Sequence, residues 1–183
     1  GGDVNCALFI TNERLLTGAD DGLIRFWNVP TATEYQPPLK ASKKGIACLA
    51  QSPDGKTIAY GDWDAGVLAF DLDAPNVLRE TTRHTSEVRA IGFVPGTRNL
   101  ISLSVDGPLR ISDFDDVAKP PTDFELRSMG VKSAYALAIR SDGGAVALSG
   151  NPGTIKLLDL KTGDMRETVN AHAGWVKLLQ FID

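Results

Sequence analysis

Residues 14–29 read Arg14-Leu15-Leu16-Thr17-Gly18-Ala19-Asp20-Asp21-Gly22-Leu23-Ile24-Arg25-Phe26-Trp27-Asn28-Val29. A short apolar piece runs into a polar Asp-Asp-Gly turn, and an alternating segment follows. Ile24 and Phe26 take every other position before Trp27, a period of two that reads as a strand. The pattern recurs as Val67-Leu68-Ala69-Phe70-Asp71-Leu72, Leu109-Arg110-Ile111-Ser112-Asp113-Phe114 and Ile155-Lys156-Leu157-Leu158-Asp159-Leu160. Counted from Trp27 to Phe70, Ser112 and Leu158, the steps are 43, 42 and 46 residues.

A second column keeps the same period. Its members are Val4-Asn5-Cys6-Ala7-Leu8-Phe9, Ile46-Ala47-Cys48-Leu49-Ala50-Gln51, Val88-Arg89-Ala90-Ile91-Gly92-Phe93, Ala134-Tyr135-Ala136-Leu137-Ala138-Ile139 and Val176-Lys177-Leu178-Leu179-Gln180-Phe181. The starts at 4, 46, 88, 134 and 176 are separated by 42, 42, 46 and 42 residues. Two independent columns with one period mark a repeat architecture.

Between the columns lie further apolar pieces, Thr57-Ile58-Ala59, Asn99-Leu100-Ile101 and Ala145-Val146-Ala147, and a more polar segment such as Met165-Arg166-Glu167-Thr168-Val169 closes each unit. Turn signals punctuate them: Ser52-Pro53-Asp54-Gly55, Val94-Pro95-Gly96, Ser141-Asp142-Gly143-Gly144 and Lys161-Thr162-Gly163-Asp164. Four strands in about 42 residues is the arithmetic of a propeller blade. The stretch from Asn76 to Ile91 competes as a helix. Its Thr81-Thr82-Arg83 centre is poor helix material, and its register fits a fourth strand followed by a first strand. The fold class is therefore all-β, a β-propeller of four-stranded antiparallel blades. Four complete repeats fall at about 3–41, 42–83, 84–129 and 130–171, and residues 172–183 carry the first strand of a fifth.

These residues resemble the WD-repeat β-propeller family along essentially the whole chain. Ser52-Pro53-Asp54-Gly55 matches its turn, and Thr17-Gly18-Ala19-Asp20-Asp21-Gly22 leads to Trp27-Asn28 as the family pattern leads to Trp-Asp. Ser102-Leu103-Ser104-Val105-Asp106-Gly107, ending at Ser112-Asp113, matches too, and Ala171-His172-Ala173-Gly174-Trp175-Val176 is similar to the start of a repeat. The resemblance implies a relay of His, Ser or Thr, Asp and Trp that holds each blade together. By position the first repeat offers Thr17, Asp21 and Trp27, and the third offers His84, Ser102 and Asp106 with Ser112 in place of Trp. The second offers Tyr60, Asp64 and Phe70, with an extra Ala65 and with Ser42 where His would stand. The fourth has Leu148, Pro152 and Leu158, with Gly130 at the His position. No repeat carries the full set. A buried hydrogen bond nets only ~0.5–1.5 kcal/mol, so the apolar columns can hold such blades without it.

Catalysis finds no foothold in the residues. His84 and His172 each stand four residues before a first-strand start, which is a repeat column and not a catalytic pair. Cys6 and Cys48 share the third position of the first strand with Ala90, Ala136 and Leu178, where a buried thiol acts as a small hydrophobe. Gly55-Lys56-Thr57 mimics the tail of a phosphate loop, but Ala50 stands where its first glycine belongs and a strand follows. Asp113, Asp115 and Asp116 lack the glycine-centred loop of a calcium site. The reading assigns no metal, no cofactor and no catalytic residue.

Partner binding leaves fainter traces. In the resembling family, partners dock on the face carrying the loops into the first strand and the turns between second and third strands. Trp175, Tyr135 and Arg89 are of the types enriched in binding hot spots, and Trp63 is a large apolar residue in a turn that gives it no packing duty. With Glu87 and Lys177 they form the expected partner-binding set. The implied function is a non-catalytic protein-interaction scaffold for a protein or peptide. The alternatives are a structural or regulatory module fused to a catalytic domain, or a small-molecule or enzymatic propeller using the central channel. Few ionisable groups, Arg89 and Lys177, line that channel, and no carboxylate or histidine stands beside them in the pattern.

Composition narrows the partners. Net charge is −4 and no basic block exists, which argues against phosphate-backbone binding by nucleic-acid partners. No apolar run approaches 18 residues, so no membrane span is expected. Two cysteines and no Asn-x-Ser/Thr site suit a reducing compartment and favour the cytoplasm. Against a length of 183 residues, seven blades at a 42-residue step need about 294. The expectation is an incomplete part of a larger, roughly seven-bladed propeller, or an arc completed by self-association or by a second chain.

Overall fold

In the computed structural model, residues 2–105, 107–131, 133–150 and 153–182 are described. They form sixteen strands in four sheets. The first sheet holds β1 (Val4–Thr11), β2 (Arg14–Ala19), β3 (Leu23–Asn28) and β4 (Thr33–Lys40). The second holds β5 (Ile46–Gln51), β6 (Thr57–Asp62), β7 (Gly66–Asp71) and β8 (Ala74–Arg83). The third holds β9 (Val88–Phe93), β10 (Asn99–Ser104), β11 (Leu109–Asp113) and β12 (Thr122–Phe124). The fourth holds β13 (Leu137–Ile139), β14 (Ala145–Gly150), β15 (Thr154–Asp159) and β16 (Met165–Asn170). Within each sheet the strands pair antiparallel in chain order, so each sheet is a meander of one repeat and the fold is a β-propeller. The contested stretch from Asn76 to Ile91 divides into β8 and β9.

Local chemistry makes the hairpins. In the turn between β5 and β6, Ser52 Oγ donates to Asp54 Oδ1 at 2.6 Å and accepts the Thr57 N–H at 2.9 Å. Asp54 Oδ1 also accepts the Lys56 N–H at 3.1 Å, and Gly55 supplies the left-handed φ of 73° that the turn requires. Asp113 does the same work after β11. Its Oδ1 accepts the N–H groups of Asp115 and Asp116, and its Oδ2 takes Lys119 Nζ at 3.1 Å.

A blade has two faces and no interior of its own, so its apolar side chains are buried between blades. Three buried clusters follow this rule among the described residues. Leu16, Ile24 and Phe26 of the first blade meet Ile46, Ile58, Tyr60 and Phe70 of the second. Ala59, Val67 and Ala69 of the second meet Val88, Ile91, Leu100 and Phe114 from the third repeat. Ile101, Leu103 and Leu109 of the third meet Ala134, Val146, Leu148 and Leu158 from the fourth. The first strands β1, β5, β9 and β13 are successive neighbours, which gathers their N-terminal ends at one place.

The approach of blade to blade depends on one recurring pair. The first residue of β5 and the first residue of β9 each pack against a glycine of the preceding blade's second strand. Gly18 leaves room for Ile46, since a Cβ there would stand 2.5 Å from Ile46 Cγ2, and Gly61 leaves room for Val88 in the same way. At the next interface the sizes are exchanged: Leu103 takes the glycine's place and Ala134 the bulky residue's, within one buried cluster. Val4 holds this column in β1 without such a partner among the described residues, and it is 64% exposed.

One expected strand is missing. Val176–Phe181 carries the pattern of a fifth first strand, but no strand forms there. A first strand is held by hydrogen bonds to its own second strand, and residues 1–183 contain none for this repeat. Val176 is still buried, while Leu178, two residues on, is 81% exposed.

Candidate functional site

The first-strand column separates two duties, within β1, β5 and β9 and, at 134–135 and 176–177, in segments that form no strand. Positions 46, 88 and 134 are buried between blades, position 176 is buried too, and the residue after each faces a different surrounding. Those next residues are Ala47, Arg89, Tyr135 and Lys177, with Asn5 as the counterpart in β1. All five line one cavity of about 410 Å³, together with Trp63 and Trp175. Four repeats and the segment after them thus contribute to one concave site. Of the expected partner-binding set, Trp63, Arg89, Tyr135, Trp175 and Lys177 come together here.

Glu87 is the exception. It is not among the lining residues and instead accepts from Arg89 Nη2 as an ion pair. Asn5 and Ala47 are lining residues absent from that set. Their repeat column was the available signal, but small and neutral side chains gave no chemical reason to choose them.

Each aromatic is held differently. Trp63 stands in the turn between β6 and β7, and its backbone N–H donates to Gly45 O at 3.0 Å. Asp20 makes the equivalent bond to Asp3 and Val105 to Glu87, so Trp63 occupies a regular position with an unusual side chain. Gly45 is the floor beneath it, since a Cβ on Gly45 would meet Trp63 Cε3 at 2.8 Å. The rings of Tyr135 and Trp175 meet edge to face with centroids 4.3 Å apart. Trp175 nevertheless stays 54% exposed.

The charge of the lining is positive. Arg89 and Lys177 line the cavity, and among the described residues no carboxylate does. Asp20 is bonded to Asn5 Nδ2 at 2.7 Å, and Glu87 is bonded to Arg89. Lys177 makes no ion pair among the described residues. Trp63 Nε1 and Arg89 Nε are shielded from solvent and have no hydrogen-bond acceptor among the described residues.

The relay positions show four solutions to one packing problem, ten residues apart in every repeat. Trp27 Nε1 donates to Thr17 Oγ1 at 2.8 Å. Tyr60 and Phe70 meet ring to ring at 6.3 Å, and Tyr60 OH donates to Ala41 O at 2.9 Å. Ser102 and Ser112 are both buried, and Ser112 Oγ has no partner among the described residues. Leu148 and Leu158 replace the polar pair with apolar contact in the core. Asp21 pairs with Arg25 at 2.8 Å, which holds its carboxyl down at about 2. His84 Nε2 lies 2.8 Å from Ser102 Oγ, while Asp106 and Pro152 lie outside the described residues.

In the second blade the acid is not Asp64 but Asp62. Ser42 Oγ donates to Asp62 Oδ2 at 2.7 Å, and Asp62 Oδ1 accepts the N–H groups of Asp64 and Gly66. A serine reaches less far than a histidine, so its partner is the buried carboxylate at the strand end. Asp64 turns outward toward Lys44 and Arg83, and the extra Ala65 takes φ 66° to complete the longer turn.

The thiols are inert in character. Burial pushes the Cys6 thiol up to about 11, against a small opposing effect of the Gly18 backbone, and burial with Cys6 nearby raises Cys48 further. Among the described residues no three His, Cys, Asp or Glu side chains gather as a metal site needs.

The WD domain, G-beta repeat family matches at residues 1–28 and 34–71. Periodic tryptophan protein 2 of Arabidopsis thaliana is 24% identical over 74% of this chain and 15% of its own length. The WD repeat-containing protein 20 homolog of Caenorhabditis elegans is 32% identical over 68% of this chain and 16% of its own. Human striatin is 23% identical over 81% and 22% respectively. The chain therefore spans under a quarter of each of these relatives. Among solved structures, the Cps50 (Swd1) β-propeller domain of Myceliophteria thermophila superposes with a TM-score of 0.82 at 17% identity, over 97% of this chain and 60% of that one. The computationally designed Ika8 protein gives a TM-score of 0.72 at 26% identity, over 99% of this chain and 53% of that one.

Proposed function

Because the chain belongs to the WD-repeat β-propeller family, we propose that it is a non-catalytic interaction scaffold that receives a protein or peptide at this cavity. Trp63, Tyr135 and Trp175 are the anchors, Arg89 and Lys177 supply charge, and Glu87 positions Arg89. The observation that carries this reading is convergence. Residues far apart in the chain, chosen by type and column, line one concave site. Aromatic and arginine side chains are the types that concentrate binding energy. The candidate nucleophiles lack what chemistry would need, since both thiols are pushed toward the neutral form and His84 faces Ser102 in the core. Propellers of this family typically serve as protein-interaction scaffolds, which agrees with a docking role.

The test is affinity capture with quantitative mass spectrometry, comparing the parent chain with a Trp175→Ala, Lys177→Ala double variant. Both side chains are exposed, so thermal unfolding should stay within about 1 kcal/mol of the parent. Loss of a reproducible partner with folding intact is the expected result. Equal capture by both chains would overturn the docking assignment.

A further inference from the structure

We infer that the cavity receives a carboxylate side chain from an acidic segment of the partner, held by Lys177, Arg89 and the Trp63 indole N–H. This rests on the docking role proposed above and names the chemistry of its ligand.

Three aromatic rings around one cavity would by themselves suit a cation, because ring faces attract positive charge. The charges decide otherwise. Arg89 and Lys177 share the lining with those rings, and among the described residues no carboxylate lines it. The two nearby acids are already engaged, Glu87 with Arg89 and Asp20 with Asn5. Glu87 offsets the charge of Arg89, so Lys177 is the lining cation without an ion pair among the described residues, and it repels a cationic ligand and attracts an anion.

Hydrogen bonding points the same way. Trp63 Nε1 and Arg89 Nε are donors without acceptors among the described residues, and both residues belong to the same lining. Buried donors are normally paired. A carboxylate has two oxygens and accepts only, so it suits donors left without acceptors once the side chains turn to meet it. The volume, about 410 Å³, lies at the lower end for small-ligand pockets, which suits one anchoring side chain and its flanking backbone. The chain as a whole is acidic, at −4, and salt should weaken an attraction that rests on Lys177 and Arg89.

The chain's three tryptophans make the test direct. The ¹⁵N-labelled chain is titrated with the capped peptides Ac-Leu-Glu-Phe-amide and Ac-Leu-Gln-Phe-amide while the indole N–H resonances are followed. The Glu peptide should move the Trp63 signal downfield and perturb Trp175. Trp27 should stay put, because its N–H is already bonded to Thr17. The Gln peptide should bind at least about fivefold more weakly, and Lys177→Glu should weaken the Glu peptide by a similar factor with an unchanged melt. Equal response to the two peptides would overturn the carboxylate while leaving the docking role standing. No movement of Trp63 with the Glu peptide would overturn the proposal too. Failure of the docking role itself reads out separately, as undiminished capture by the Trp175→Ala, Lys177→Ala variant.

Discussion

Tyr135 and Trp175 meet edge to face at 73°, joining the fourth repeat to the segment that follows it. Such a pair contributes ~0.5–1.5 kcal/mol beyond area burial, yet Trp175 remains more than half exposed. Trp175→Ala should therefore lower unfolding stability by no more than about 1 kcal/mol. Its effect on partner binding should reach at least ~2 kcal/mol, as for a hot spot. Calorimetry of the captured partner, beside a thermal melt, separates the two quantities. A large stability loss with unchanged binding would make Trp175 a packing residue.

Gly45 sets the position of Trp63. A methyl group at Gly45 would stand 2.8 Å from Cε3 of the indole, so Gly45→Ala must displace the ring. The expected result is a shifted Trp63 indole resonance and weaker partner binding. The remaining blades should keep their melting behaviour.

The pair Gly18 and Ile46 governs how closely the first two blades approach. Overpacking by Gly18→Ala should cost ~1–3 kcal/mol, because the new Cβ meets Ile46 Cγ2 at 2.5 Å. Combining it with Ile46→Ala should cost less than the sum, with a coupling of about 0.5–3 kcal/mol. The exchanged sizes at Leu103 and Ala134 are the natural precedent. Denaturant melts of the four chains in the cycle measure it, and strict additivity would count against the contact.

His84 makes stability depend on pH. Burial, with help from Arg110 and against Asp123, lowers its pKa from 6.5 to about 4. Above 6.5 the ring is neutral folded and unfolded, and its contribution is complete. As pH falls below 6.5 the unfolded chain takes up a proton that the folded chain refuses until about 4, so stability is lost across that window. The loss should be on the order of 2–3 kcal/mol. A His84→Gln variant should show a flatter pH profile of the melting temperature between those limits.

Thr17→Val removes the acceptor of the Trp27 indole N–H while keeping the shape of the side chain. The expected cost is ~1–3 kcal/mol from the unpaired donor, toward the lower end because both residues are only partly buried. Adding Trp27→Leu gives the first blade the apolar chemistry seen at Leu148 and Leu158 and should recover part of that cost. Urea unfolding of the single and double variants reads the difference.

Much of this architecture is legible in the residues because it is local. Alternation at Ile24 and Phe26, the Ser52–Gly55 turn and the 42-residue step are properties of neighbouring residues, and they specify strands, hairpins and blades. The division of Asn76–Ile91 into β8 and β9 follows from the same register. The exchange of Asp62 for Asp64 does not, because it depends on the reach of Ser42 across the sheet. The unpaired Val176–Phe181 segment differs for a similar reason, since an apolar pattern makes a strand only beside a partner.

By itself, the sequence determined the repeat, the all-β blades and the column in which Asn5, Ala47, Arg89, Tyr135 and Lys177 stand. Only the tertiary structure decided that these positions converge with Trp63 and Trp175 around one cavity. Column membership is a count along the chain, whereas convergence is an angle between blades. That angle is set where blades touch, by pairs such as Gly18 with Ile46 and Gly61 with Val88, whose small and large side chains bring successive first strands together.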